Sequence, residues 1–171
     1  LAIFKKFTWQ EIGQVFAFCA FPAHVYTIYN LLEDIPNWYL YMDLWRLAGI
    51  ISYSLIFALI ESIALFLIVF AVGLLIPKRV LKDNFVPLSG IFILEATGFA
   101  MLLHLMPELF MTIRRWVKAF YIGVLISLPV LYFIEPIKKA VRFVLDRLSI
   151  LSFAYVGIDL IAIIIVIIRN V

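Results

Sequence analysis

LAGIISYSLIFALIESIALFLIVFAVGLLI, residues 47–76, holds one charged residue, Glu61, and stops at Pro77-Lys78-Arg79. A helix needs about 20 predominantly apolar residues to cross a hydrocarbon core about 30 Å thick. This stretch is longer than that, so as a helix it must tilt or project past the headgroups. The whole chain has the same character: 66% of its 171 residues are apolar and 15% are charged, against roughly half and a quarter in a soluble domain. A soluble alternative would bury every helix all round, and a chain this small has too little interior for that.

Outward from this stretch, further apolar runs mark a span over about 12–32, with Pro22 expected to kink it, and another over about 86–105, with Pro87 in its first turn and Pro107 just past its end. Two more lie at about 116–134 and 149–168. Between the last two, Ile137, Ala140, Val141, Val144, Leu145 and Leu148 recur at helical spacing opposite Lys138, Lys139, Arg142 and Asp146. That pattern predicts a basic amphipathic helix on the membrane surface, about 137–148. After the first span, Trp38, Tyr39, Tyr41 and Trp45 alternate with Glu33, Asp34 and Asp43, as in an aromatic belt at the opposite interface. The expected fold is all-α: a polytopic integral membrane bundle of about five transmembrane helices plus one interfacial helix, in a single transmembrane domain.

Lysine and arginine set the orientation. With five spans and a cytoplasmic N-terminus, Lys5, Lys6, Lys78, Arg79, Lys82, Lys138, Lys139, Arg142 and Arg147 fall inside, and Arg46, Arg114, Arg115, Lys118 and Arg169 outside. The C-terminus is then external. If the third span is re-entrant, the cluster at 114–118 moves inside, the amphipathic segment moves out, and the balance is unchanged. Five spans are preferred because 86–105 is long enough to cross and a basic surface helix belongs on the anionic cytoplasmic leaflet. The chain opens on Leu1, which reads as a trimmed or partial product, and nothing near it has the form of a cleaved signal peptide.

Cys19 is the only cysteine, so no internal disulfide or cysteine zinc cluster can form. The net charge of +3 comes mostly from the segments between spans. No basic stripe is interleaved with aromatics in a soluble segment, so nucleic acid is not an expected partner. The expected partners are the lipid bilayer and other membrane subunits or a second copy.

Four ionisable residues lie near mid-span: His24, Glu61, Glu95 and Asp159. A charge at mid-bilayer costs about 2.5–3.5 kcal/mol on insertion scales, so each should face the bundle interior. No lysine or arginine lies at matching depth, which leaves neutral carboxyls hydrogen-bonded between helices as the simplest reading and a proton or cation path as the alternative. Arg114, Arg115 and Lys118 can hold an anionic headgroup, although pairing with Glu33, Asp34 and Asp43 is the better-supported expectation. His104 and Glu108, four residues apart, are weak metal candidates, because a closed zinc site needs four ligands. Gly-x-Ser-x-Gly, His-Glu-x-x-His, Walker and dinucleotide motifs are missing from the sequence, and no motif indicates a cofactor. The leading expectation is therefore a noncatalytic membrane subunit or anchor. The alternatives are a proton- or cation-linked transport component using the acidic midplane, and a lipid-acting membrane enzyme with its site at the outer interface.

Overall fold

Thr8-Trp9-Gln10-Glu11 begins the first helix with a reciprocal cap. The Glu11 N–H donates to Thr8 Oγ1 (3.2 Å), and the Thr8 N–H donates back to Glu11 Oε2 (2.7 Å), so two amide groups with no partner in the helix are satisfied at once. A computed structural model of the protein describes residues 7–77, 84–105 and 113–171, with backbone alone at 103–105, 113, 114, 125, 128–132, 149, 152 and 153. All regular structure among these residues is helical: α1 (Trp9–Tyr39), α2 (Leu44–Leu75), α3 (Phe85–Leu105), α4 (Ile113–Phe133) and α5 (Glu135–Asn170). Among the described residues, α1, α2 and the Phe85–Leu102 part of α3 are long and apolar enough to cross a membrane.

Two element boundaries differ from the sequence reading. α5 runs unbroken through both the amphipathic segment expected at about 137–148 and the apolar stretch that follows. The linking residues, Asp146-Arg147-Leu148-Ser149-Ile150, include neither proline nor glycine, so nothing stops the helix there. Likewise α1 continues past Leu32 through Pro36 to Tyr39, which puts Glu33 and Asp34 on its last turns rather than in a separate belt segment. Tyr39, Tyr41 and Trp45 are exposed around the short turn that follows.

The chain divides into two compact units. The first joins the chain up to Val15 with Val69–Asp146. Phe7 packs on Phe85 with ring centroids 4.1 Å apart and on Phe70 at 5.6 Å. Gly73 lies under Phe85, where an added Cβ would come within 2.7 Å of the ring. α3 meets α4 through the stacked rings of Phe99 and Phe120, 4.7 Å apart. α5 starts at Glu135-Pro136, a first turn where proline lacks only a donor that the helix cannot use. Lys138 is buried there, ion-paired with Glu135 and 3.4 Å from Asn84 Oδ1. Its hydrogen bond holds the Glu135 carboxyl below the usual range.

The second unit comprises Phe16–Ile68 and Arg147–Val171. Within it α1 and α2 form an antiparallel hairpin, with Phe16 edge-on to Phe66 at 5.7 Å. Asp43 caps α2, its Oδ1 accepting from the Arg46 N–H at 2.8 Å. That backbone hydrogen bond, with the Arg46 guanidinium 3.2 Å from Oδ2, keeps the Asp43 carboxyl below its ordinary range. The end of α5 closes on the beginning of α2. Arg169 Nη1 donates to the carbonyls of Trp45 and Arg46 at 3.2 and 3.3 Å, and Asn170 Nδ2 donates to Tyr53 Oη at 2.7 Å. Gly49 makes this approach possible, since a Cβ there would fall 1.4 Å from Arg169 Nη1 and force the guanidinium aside.

Candidate functional site

The second unit holds the best-defined polar cluster. Tyr155 and Asp159, four residues apart on α5, share a face and are both buried. That face meets His24 of α1, which is 0% exposed, against 3% for Asp159. The imidazole stacks on the Tyr155 ring, centroids 4.8 Å apart and planes at 24°. Its Nε2 lies 3.0 Å from Asp159 Oδ1 and 3.1 Å from Oδ2, and its Nδ1 lies 2.9 Å from the Ala20 carbonyl oxygen.

These contacts fix the proton count. A carbonyl oxygen only accepts, so Nδ1 carries a hydrogen and donates to Ala20. Two lone pairs facing each other at 3.0 Å would repel, so one proton also lies between Nε2 and the carboxyl. It belongs either to an imidazolium beside a carboxylate or to a carboxylic acid donating to a neutral imidazole. Both forms have the same number of protons and the same net charge, zero. The pair is therefore compatible with a dry environment whichever atom holds the proton, and it can pass that proton between the two residues without creating net charge.

The other residues expected near mid-span are placed differently. Glu61 is exposed on α2, not turned toward the interior as expected, while Ser62 beside it is buried and donates to the Ala58 carbonyl at 2.6 Å. Glu95, in the first unit, is half-buried, and its Oε2 is buried with no hydrogen-bond partner among the described residues. Arg115 and Lys118 are exposed on α4, while only the backbone of Arg114 is described. Asp43, one of the acids expected to pair with that cluster, is engaged locally by Arg46. His104 is described by its backbone alone, and Glu108 lies outside the described residues. Among the described residues no group of three or more His, Cys, Asp or Glu is arranged to hold a metal.

The first unit also carries an open cleft of about 250 Å³, where the capping Thr8 and Glu11 and Gln14 of α1 face Arg142 and Asp146 of α5. Gln14 Nε2 donates to Asp146 Oδ1 across it at 2.7 Å. Sequence reasoning passed over this contact, the Arg169 clasp and the role of Tyr155. The signals were uneven. Thr8-x-x-Glu11 is a legible capping pattern and Gly49 hints at close approach, but nothing local joins Gln14 to a residue 132 positions away. The chain matches no protein-family model, no curated protein and no solved structure.

Proposed function

We propose that this protein is a noncatalytic membrane subunit or anchor, whose helices cross the bilayer five times and pack against another membrane protein chain. The observation that carries this reading is Glu61, a carboxyl exposed midway along the most apolar helix. Facing lipid, a charge there costs about 2.5–3.5 kcal/mol, so a polar group on a neighbouring chain is its natural complement. The His24–Asp159 pair fits the same reading, because two groups able to do chemistry are instead directed at each other and join α1 to α5.

The second unit supports an odd number of crossings. α2 returns antiparallel to α1, and the C-terminal end of α5 meets the first turns of α2, so α5 runs parallel to α1 there. Parallel first and last spans require an odd total, which disfavours the four-crossing arrangement with a re-entrant α3. The length and composition of Phe85–Leu102 favour five over three. In this arrangement the N-terminus is cytoplasmic and the C-terminus external, as the positive-inside balance indicates.

The test is extraction of the protein from its native membrane in mild detergent, followed by mass determination of the purified particle. A particle heavier than the chain, containing a second membrane chain in fixed stoichiometry, is the expected result. A lone monomer that remains folded would overturn the reading.

Proton-linked transport has one observation in its favour, the buried Oε2 of Glu95, which has no hydrogen-bond partner among the described residues. Proton flux in reconstituted vesicles that Glu95→Gln abolishes would move this reading ahead. The lipid-acting reading rests on His104, Glu108, Arg114 and Arg115, and no observation advances it.

A further inference from the structure

The cleft of the first unit lies on the polar side of two apolar runs. On α1, Glu11 and Gln14 come just before the run that opens at Val15, and on α5, Arg142 and Asp146 come just before the one that opens at Ile150. Val86, buried at the start of α3, forms part of the wall. With α1 crossing the bilayer, these residues stand at the level of the lipid headgroups. A volume of about 250 Å³ falls below the roughly 300–1,000 Å³ of pockets that enclose a drug-sized molecule. It suits a headgroup whose tails stay in the bilayer.

The charges of the lining select among headgroups. Two carboxyls, Glu11 and Asp146, accompany one guanidinium, so a headgroup with negative charge alone meets more repulsion than attraction. A headgroup bearing both a cation and a phosphate matches both kinds of side chain. Arg142 presents a planar fork of five donors, the geometry that grips a phosphate, and five are enough to serve other partners as well. Glu11 and Gln14, three residues apart, share the face of α1 that reaches Asp146. Both bonds from Thr8 end on Oε2 of Glu11, and Oε1 accepts none among the described residues. Asp146 takes the Gln14 amide on Oδ1 at 2.7 Å, and a carboxylate has sites for about four such bonds. A primary ammonium, with its three N–H donors, can bridge two carboxylates of this kind. A quaternary ammonium has no donor and is held instead by aromatic rings, which the lining lacks among the described residues. We propose that this cleft binds the headgroup of an ethanolamine phospholipid, with its ammonium between Glu11 and Asp146 and its phosphate on Arg142. The inference rests on the crossing of α1 in the reading above and needs no partner chain.

The experiment titrates the full chain, freed of native lipid in mild detergent, with phosphatidylethanolamine, phosphatidylcholine and phosphatidylglycerol of the same acyl chains, and counts bound lipid by native mass spectrometry. One ethanolamine lipid should bind about tenfold more tightly than either of the others, the loss expected when hydrogen bonds to charged groups are removed. Glu11→Gln keeps the cap, because glutamine also serves at that position. That variant and Asp146→Asn should each narrow the preference, whereas Arg142→Gln should weaken the ethanolamine and choline lipids alike. Lys139→Gln, exposed on the same helix outside the cleft, should change neither. Equal affinity for the three lipids in the parent, or a preference that survives Glu11→Gln and Asp146→Asn together, would overturn the proposal. So would free phosphoethanolamine that binds as tightly as the lipid, since the ligand would then be a soluble zwitterion. The comparison in the parent needs no variant to fold. A lone monomer that keeps the preference would leave this site standing and overturn the subunit reading; a complex without the preference would do the reverse.

Discussion

The seam between α1 and α5 and the outward face of α2 solve the same problem in opposite ways. Each places a carboxyl within an apolar stretch of helix, Glu61 midway along α2 and Asp159 in the apolar second half of α5. Asp159 is enclosed and meets an imidazole inside its own chain, whereas Glu61 looks outward and has Ser62, its neighbour in sequence, take the buried position. Depth along a membrane helix sets how costly a polar group is, and the direction in which it points decides whether its own bundle can supply a partner. The first arrangement makes a polar group part of folding; the second, on the function proposed above, makes it part of assembly.

The sharpest way to break this contrast is to remove one member of the enclosed pair. Asp159→Ala leaves Nε2 of His24 buried without a partner, and unfolding in mixed micelles should show a loss of about 1–3 kcal/mol, the cost of an unsatisfied buried group. Breaking an ionised buried pair costs about 3–5 kcal/mol, so a loss in that range would show that the proton resides on the imidazole. The double variant His24→Leu, Asp159→Leu should recover most of the stability. Additive losses in the two single variants would deny that the residues act together.

Next in size is the clasp at the end of α5. Gly49→Ala drives the Arg169 guanidinium from the carbonyls of Trp45 and Arg46, and the same micelle measurement should show a loss of about 1 kcal/mol. Arg169→Gln should give a similar loss, and combining the two should add little. Independent, summed losses would mean that Gly49 serves α2 alone.

Glu95 sharpens the comparison from a third position. With Oε2 buried and without a partner among the described residues, Glu95→Leu should leave stability unchanged or raise it, the reverse of what a helix-joining hydrogen bond worth about 0.6 kcal/mol would give. A loss on that scale would reveal a partner.

The smallest expected effect is at Asp43, whose carboxyl is held low by the Arg46 N–H and guanidinium. A group with a depressed folded value stabilises fully above its unfolded value, near pH 4, and progressively less as the pH falls through the folded one. The parent should therefore lose thermal stability below about pH 4 more steeply than Asp43→Asn. Parallel curves for the two proteins would remove Asp43 from the account.

The sequence reading found the helices because their signal is local. Apolar runs and their bounding prolines placed α2, α3 and α4 within a few residues. It divided α5 because amphipathic and uniformly apolar patterns look like two elements, although helix formation depends on the absence of a breaker and is indifferent to a change of surroundings. His24, Glu61, Glu95 and Asp159 were all legible as costly residues, since hydropathy alone exposes them. Their pairing was not, because His24 and Asp159 are 135 residues apart and a one-dimensional pattern says nothing about which helix lies beside which. Nor did the mid-span position of Glu61 reveal that it faces outward. Facing is decided by the neighbours that cover the opposite side.

The distance in sequence between His24 and Asp159 also sets an order of events during synthesis. The imidazole enters with α1 and its partner arrives with α5. At about 5–20 residues per second, the intervening 135 residues take roughly 7–27 s to make. For that interval the nascent protein carries an unsatisfied ring nitrogen, which the insertion machinery, water or a chaperone must shelter. Until α5 is made, α1 has no partner for that nitrogen within the second unit, so this part of the fold closes late.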